Sequence, residues 1–330
     1  MNTLKVCLSL LLLSLVSANA QLHIPKTLNT SAVAMQIVNG SDVFDPVGAY
    51  LILPTKSGNN YNIVGMGGVA HSYGTYTYEP AAAPAALQMN DSETGPINTQ
   101  LFFNATNYGS YITTSEIFPG VQVGNFTVFS SPALSKLAGQ SVAINVSSGT
   151  YPFATNGVCI VNFPATGSNY TVLGSGTIQS SRGIYSYAVS NSAVGQITMS
   201  DSAVGSYKAY YAFQNFYTGL YVAVQDANYQ TGTFMLLTTS KPTVTISNLK
   251  ANQSISTINY NVSGKATDKI IVTKVYYSLN GSNWTLANGT SNWSASLYLH
   301  NGTNQFSVYS QDNSGNISPI STVPFKCTAH

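Results

Sequence analysis

Short runs of alternating apolar and polar residues, each bounded by Gly, Asn, Pro or Ser, recur along this chain. Beyond the first twenty residues no segment sustains apolar positions at helical spacing. Side chains that alternate with a period of two line the two faces of a strand, so the pattern predicts an all-β protein. Runs near 33–38, 48–54, 60–66, 73–79, 85–90, 98–105, 108–115 and 121–129 predict eight strands. The connections between them are only a few residues long, which pairs neighbouring strands antiparallel in a meander.

The same pattern is then written a second time. Gly58, Tyr61 and Gly65 return as Gly167, Tyr170 and Gly174, and Gly74, Tyr76 and Tyr78 return as Gly183, Tyr185 and Tyr187, all at an offset of 109. Past one inserted residue the offset is 110, and Met89, Asp91, Phe103 and Tyr111 return as Met199, Asp201, Phe213 and Tyr221. Two copies of one folding unit therefore occupy residues 31–130 and 140–238. Within each, the alternation turns aromatic side chains to one face: Tyr76, Tyr78, Phe103 and Tyr111 in the first copy, Tyr185, Tyr187, Phe213 and Tyr221 in the second. Eight antiparallel strands in about 100 residues can close into a small up-and-down barrel, which removes the exposed edges; a two-sheet sandwich is the alternative. The strand count and the Gly-x-Tyr-x-Tyr rhythm resemble short lipocalin-like (calycin) barrel modules of secreted bacterial proteins.

The pattern changes at Ser240, Lys241 and Pro242, which predicts a domain boundary. Seven further alternating runs follow at 243–246, 258–262, 270–279, 284–286, 293–299, 304–310 and 323–327, the number an immunoglobulin-like sandwich needs. Asn280-Gly281 is a hairpin signal, because both central residues of a type I′ turn take positive φ, and Asn301-Gly302 repeats it. Residues 242–327, with Gly264, Asp268, Tyr276, Tyr277, Asn280, Gly281, Trp284, Trp293, Asp312 and Asn316, resemble the bacterial immunoglobulin-like domain often appended to secreted and surface enzymes. That resemblance implies a spacer or binding module and no catalytic residues.

Composition narrows the function. Lys5, the apolar run 6–16 and Ala18-Asn19-Ala20 have the form of a secretory signal, and the run is too short to span a bilayer, so residues 1–20 are read as a signal peptide and the product as secreted, extracellular, cell-surface or periplasmic. Charged residues make up 7% of the chain and the net charge is +2, with Arg182 the sole arginine, so no basic stripe exists for nucleic acid. Asn-x-Ser/Thr triplets such as Asn29, Asn104 and Asn145 abound, as chance produces in a chain rich in these residues.

Candidate chemistry is sparse. Glu79, Glu93 and Glu116 all lie in the first copy, whereas a glycosidase needs two carboxylates facing each other across a bond. Asp91 and Asp201 recur just before a turn and read as turn caps. His71 becomes Ser180 in the second copy, and Cys159 stands where the first copy has Tyr50, so it reads as a packed thiol. Cys159 and Cys327 are free to pair or to stay reduced. Gly65, Gly67 and Gly68 read as a tight corner. Asp268, Asp312 and Asn316 form a weak calcium candidate, and no cofactor is implied. The eight inward aromatics are the candidate ligand site: they line a cavity if the barrels are open, and fill the core if they are not. Trp284 and Trp293 read as sandwich core.

The chain is thus read as a secreted, non-enzymatic, modular β-protein for surface attachment, matrix structure, or binding of a glycan, a small apolar ligand or a cell-surface protein. A secreted polysaccharide hydrolase with an accessory immunoglobulin-like domain is the alternative.

Overall fold

Alternation in the first copy folds into β1 (Ala32–Gly40), β2 (Gly48–Pro54), β3 (Asn60–Met66), β4 (Ser72–Glu79), β5 (Ala85–Asp91), β6 (Gly95–Ala105), β7 (Tyr108–Ser115) and β8 (Val121–Phe129). Each pairs with its sequence neighbour, and the set closes into a barrel rather than a two-sheet sandwich. The structure is a computed structural model describing residues 24–82 and 84–329; the predicted signal segment 1–20 lies outside the described residues. The second copy forms β9 (Ser141–Gly149), β10 (Gly157–Asn162), β11 (Asn169–Gly176), β12 (Ser181–Asn191), β13 (Val194–Asp201), β14 (Gly205–Phe213), β15 (Thr218–Gln225) and β16 (Asn228–Leu237), a second closed barrel. Residues up to Val128 form one compact unit, and residues from Phe129 onward form another.

Register matches between the copies. Tyr50 on β2 stands between Met35 on β1 and Gly65 on β3. Cys159 on β10 stands between Ile144 on β9 and Gly174 on β11, the same three positions displaced by 109. Inward residues fill one end of each barrel. Phe103 meets Phe126 edge-to-face at 4.8 Å, and Phe213 meets Phe234 at 4.9 Å, contacts that add about 1 kcal/mol each beyond the apolar area they bury. The fully buried Leu28 and Leu137, 109 apart and upstream of the first strand of each copy, belong to the two barrel cores, so the repeat begins earlier than residue 31.

The C-terminal segment forms β17 (Thr243–Ile246), β18 (Ser254–Ile255), β19 (Asn259–Thr267), β20 (Val272–Leu279), β21 (Thr285–Leu286), β22 (Asn288–Gly289), β23 (Asn292–Tyr298), β24 (Gly302–Asp312) and β25 (Ser321–Cys327). They lie in two sheets, ordered β17-β19-β23-β22 and β18-β25-β24-β20-β21, as in an immunoglobulin-like sandwich. Trp293 from one sheet stacks on Phe306 from the other, with ring centroids 6.2 Å apart. Asn280 (φ 55°) and Gly281 (φ 72°) both take positive φ in the turn joining β20 to β21, as the hairpin signal predicts. Asn301-Gly302 does not repeat that device. β23 and β24 belong to different sheets, so their connection crosses the sandwich, and only Gly302 of that pair takes positive φ.

Within the second unit the barrel and the sandwich are tied together. The Asn313 side-chain amide donates to the Leu236 carbonyl at 2.8 Å, that of Asn316 donates to the Thr238 carbonyl at 2.7 Å, and the Thr238 amide donates to Ser314 Oγ at 2.7 Å. Ile270 of the sandwich packs against the barrel core.

Candidate functional site

Asp91 ends β5 and points inward because Ala85, Leu87 and Met89, at alternate positions, already do. Its Oδ1 accepts the backbone N–H groups of Glu93 (2.9 Å) and Thr94 (3.3 Å), the turn cap predicted from its position. Its Oδ2 accepts the hydroxyls of Tyr61 and Ser72, both at 2.8 Å. Asp201 repeats the arrangement with Ala203 (2.8 Å), Val204 (3.2 Å), Tyr170 (2.6 Å) and Ser181 (2.7 Å). A carboxylate offers about four lone-pair sites, and here four donors occupy them. Burial, and then the bond to the aspartate, hold the Tyr61 and Tyr170 phenols protonated far above the usual phenol range.

Glycine makes that bond geometrically available. Tyr61 is paired with Gly74, and a Cβ there would lie 2.8 Å from the Tyr61 hydroxyl and 2.1 Å from the Asn90 carbonyl oxygen. At Gly183 the corresponding distances are 2.9 Å to the Tyr170 hydroxyl and 1.9 Å to the Ser200 oxygen. The tyrosine therefore reaches its aspartate over a bare backbone, which gives the recurring glycine a packing role.

A glutamine forms the second shared polar group. Gln122 on β8 accepts the hydroxyls of Tyr50 and Tyr111 at its Oε1, each at 3.1 Å. Gln230 on β16 accepts Tyr221 at 3.2 Å and donates from Nε2 to the Ala154 carbonyl at 3.0 Å. Tyr50, the second phenol of the first barrel, has Cys159 as its counterpart.

Each barrel has a cavity at this end, below the turns that follow β1, β3 and β5 or β9, β11 and β13. In the first barrel it measures about 70 Å³ and is bordered by Tyr50, Asp91, Thr113 and Gln122, with Asp45 and Glu93 at its rim. In the second it measures about 350 Å³ and is bordered by Phe153, Cys159, Tyr207, Tyr211, Tyr221 and Gln230, among others. Several interior side chains become smaller: Tyr50 to Cys159, Ile52 to Val161, Ile63 to Val172, and the hydrogen-bonded pair Thr99 and Thr113 to Ala209 and Ala223, which hold the same paired register. Ile97 to Tyr207 and Leu101 to Tyr211 work the other way. Among the described residues no Lys, Arg or His borders the larger cavity, and Asp201 is its one carboxylate. Burial pushes the Cys159 thiol up from 9.0 to about 11, so it is a neutral thiol at physiological pH rather than a nucleophile.

Of the eight predicted ligand-site aromatics, Tyr221 borders the larger cavity and Tyr111 bonds to the glutamine bordering the smaller one. Tyr76, Tyr78, Phe103, Tyr185, Tyr187 and Phe213 belong to, or pack against, the barrel cores. Tyr187 donates to the Leu134 carbonyl at 2.6 Å, and Tyr185 meets Phe163 edge-to-face at 4.7 Å. Inward alternation does not say towards which end a side chain lies, and Gln122 and Gln230 escaped notice. Their signal was present: Gly124 and Phe126 return as Gly232 and Phe234 at an offset of 108, which aligns the two glutamines.

Elsewhere the remaining candidates have local structural partners. His71 Nδ1 accepts the Gly65 amide at 3.0 Å, and Ser180 Oγ accepts the Gly174 amide at 3.1 Å, so histidine and serine do one job in the two copies. Gly67 (φ 66°) and Gly68 (φ 104°) turn the corner after β3. Glu79, Glu93, Glu116 and Arg182 are exposed. Asp312 accepts the Ser314 and Asn316 amides and the Asn316 side chain, each at 2.8 Å, while Asp268 Oδ1 accepts the Ile270 amide at 2.8 Å. Cys159 and Cys327 are both buried free thiols. Trp293 is core, but Trp284 is 41% exposed and rests its edge on Tyr309, contrary to the expectation that both tryptophans are interior.

The bacterial Ig domain family matches residues 242–308, which span the sandwich from β17 into β24 but not β25. No curated protein matches the chain. Among solved structures, the fibronectin(III)-like modules of CbhA from Clostridium thermocellum are similar at 12% identity over 68% of this chain and 86% of theirs, with a TM-score of 0.25. A beta-1,2-glucanase from Parabacteroides distasonis is similar at 10% identity and a TM-score of 0.20, the match covering 90% of this chain and 36% of the glucanase.

Proposed function

We propose that this chain is a secreted, modular β-protein whose second barrel binds a small apolar or aromatic molecule, with the first barrel as its filled counterpart and the immunoglobulin-like domain as a spacer. One observation supports this reading: at matching register the cavity grows from about 70 Å³ to about 350 Å³. The larger value is within the range of small-molecule pockets, and the lining combines apolar and aromatic side chains with polar groups such as Thr177, Ser181 and Gln230. A hydrolase needs two carboxylates across a bond. Asp201, the one carboxylate bordering this cavity, has its lone pairs occupied by the fold.

Saturation-transfer NMR on the full chain, with a panel of neutral aromatic and aliphatic probes, tests the reading. At least one probe binds the wild-type protein, and Cys159→Tyr, which installs the first barrel's own side chain, abolishes the signal while the melting temperature stays within a few degrees. Failure of every probe to bind the wild-type chain overturns the proposal.

A further inference from the structure

We infer that the molecule taken by the second barrel is a neutral phenol, its ring in the space that Tyr50 fills in the first barrel and its hydroxyl donating to Gln230 Oε1. The inference rests on the binding role proposed above and adds the chemical class of ligand. It comes from reading the first barrel as a template that carries its own phenol.

In that template one glutamine oxygen receives two phenols, Tyr50 and Tyr111, each at 3.1 Å. A carbonyl oxygen has two lone pairs, so Gln122 Oε1 is fully used. In the second barrel Tyr221 keeps its place on Gln230 at 3.2 Å. The residue at the Tyr50 position is Cys159, which leaves one lone pair of Gln230 Oε1 on the cavity side. Gln230 is not free to turn away, because its Nε2 donates to the Ala154 carbonyl at 3.0 Å. The oxygen is therefore a fixed acceptor, placed where the first barrel places a phenolic hydroxyl.

The surroundings suit the ring and reject a charge. Phe153, Tyr207, Tyr211 and Tyr221 border the space, and Tyr211 and Tyr221 already sit ring to ring at 5.6 Å. An anionic ligand such as a fatty acid would find no cation in the lining and would face the Asp201 carboxylate. A ligand cation would find that carboxylate already bonded to four donors. A neutral aromatic ring with a hydroxyl donor meets what the site presents, an aromatic wall with the Gln230 oxygen fixed beside it.

Calorimetric titration of the full chain with p-cresol and with toluene, which differ only by the hydroxyl, reads the inference directly. p-Cresol binds the wild-type protein about tenfold more tightly, the worth of one buried neutral hydrogen bond, and Gln230→Leu brings it down to the affinity of toluene. Equal affinity of the two probes for the wild-type chain overturns the phenol assignment and leaves the binding role standing, whereas binding of neither overturns both. Should Gln230→Leu fail to fold, Tyr50→Cys serves in its place. Opening the template raises the p-cresol stoichiometry from one to two, and a stoichiometry that stays at one overturns the inference.

Discussion

The two barrels share strand order, a buried leucine ahead of the first strand, an aspartate with four hydrogen bonds and a glutamine beneath the mouth, yet one encloses about 70 Å³ and the other about 350 Å³. The aspartate cap with its tyrosine and serine donors is retained, and so is the tyrosine-glutamine bond of Tyr111 with Gln122 and Tyr221 with Gln230. Interior positions that take no part in the aspartate cap do differ, among them Tyr50 and Cys159, Ile97 and Tyr207, Leu101 and Tyr211, and Thr99 with Thr113 against Ala209 with Ala223. A buried polar network is costly to leave half-satisfied, so it constrains change, whereas interior volume can be exchanged a residue at a time.

The comparison breaks most severely at the glycines. Gly183→Ala drives a Cβ against the Ser200 oxygen and the Tyr170 hydroxyl, and Gly74→Ala does the same against Asn90 and Tyr61. Each should cost about 3 kcal/mol, from displaced backbone and a damaged aspartate cap. Calorimetric unfolding should show equal losses in the two barrels, and a loss in one alone would mean that the caps are not equivalent.

Next in size is the chemistry of Cys159. Its pKa is pushed up to about 11, so at pH 8 alkylation by iodoacetamide should run about a hundredfold slower in the native protein than in the urea-unfolded chain, read by peptide mass mapping. The native rate should climb about tenfold per pH unit. Because the native value lies above the unfolded one, the thiol's contribution to stability is complete below pH 9 and is lost as the pH rises through about 11. A native rate already saturated at pH 9 would show that the thiol is not desolvated.

The smallest effect is the sharpest. Thr99 and Thr113 share a hydrogen bond of 2.8 Å inside the first barrel, where the second has two alanines. Thr99→Ala should cost about 1 kcal/mol by stranding the Thr113 hydroxyl, and adding Thr113→Ala should recover most of that loss. Equal losses for the single and double variants would show that volume, not the unpaired hydroxyl, sets the cost.

Much of this architecture is legible in the chain. The offset of 109 fixes the module, alternation fixes the inward face, and Asp91 and Asp201 read correctly as turn caps. The replacement of Tyr50 by Cys159 was equally visible, but its consequence was not. Whether a lost side chain leaves a cavity depends on how far its neighbours collapse, and here Tyr207 fills only part of the space. The predicted set of inward aromatics meets a related limit. Tyr187 and Phe213 point inward as alternation requires, but they sit near the strand ends away from the mouth, and a period of two carries no information about depth along the barrel axis. Trp284 shows the limit at the sandwich, where a short strand of two residues, β21, holds too little pattern to assign a face.

The clamp between residues 236–240 and the loop 312–316 bears on where this protein can vary. The chain enters the second barrel at Ser141 and leaves it at Leu237, which are paired neighbours at the closed end. All covalent and clamped connections of that barrel are therefore gathered on one side. The mouth turns at 150–156, 177–180 and 202–204 lie at the opposite end, anchored to the wall through Gln230 on the Ala154 carbonyl and Asp201 on the Ala203 and Val204 amides, and none of them takes part in the clamp to the sandwich. The clamp to the sandwich and the turns at the mouth can therefore change in sequence independently of each other.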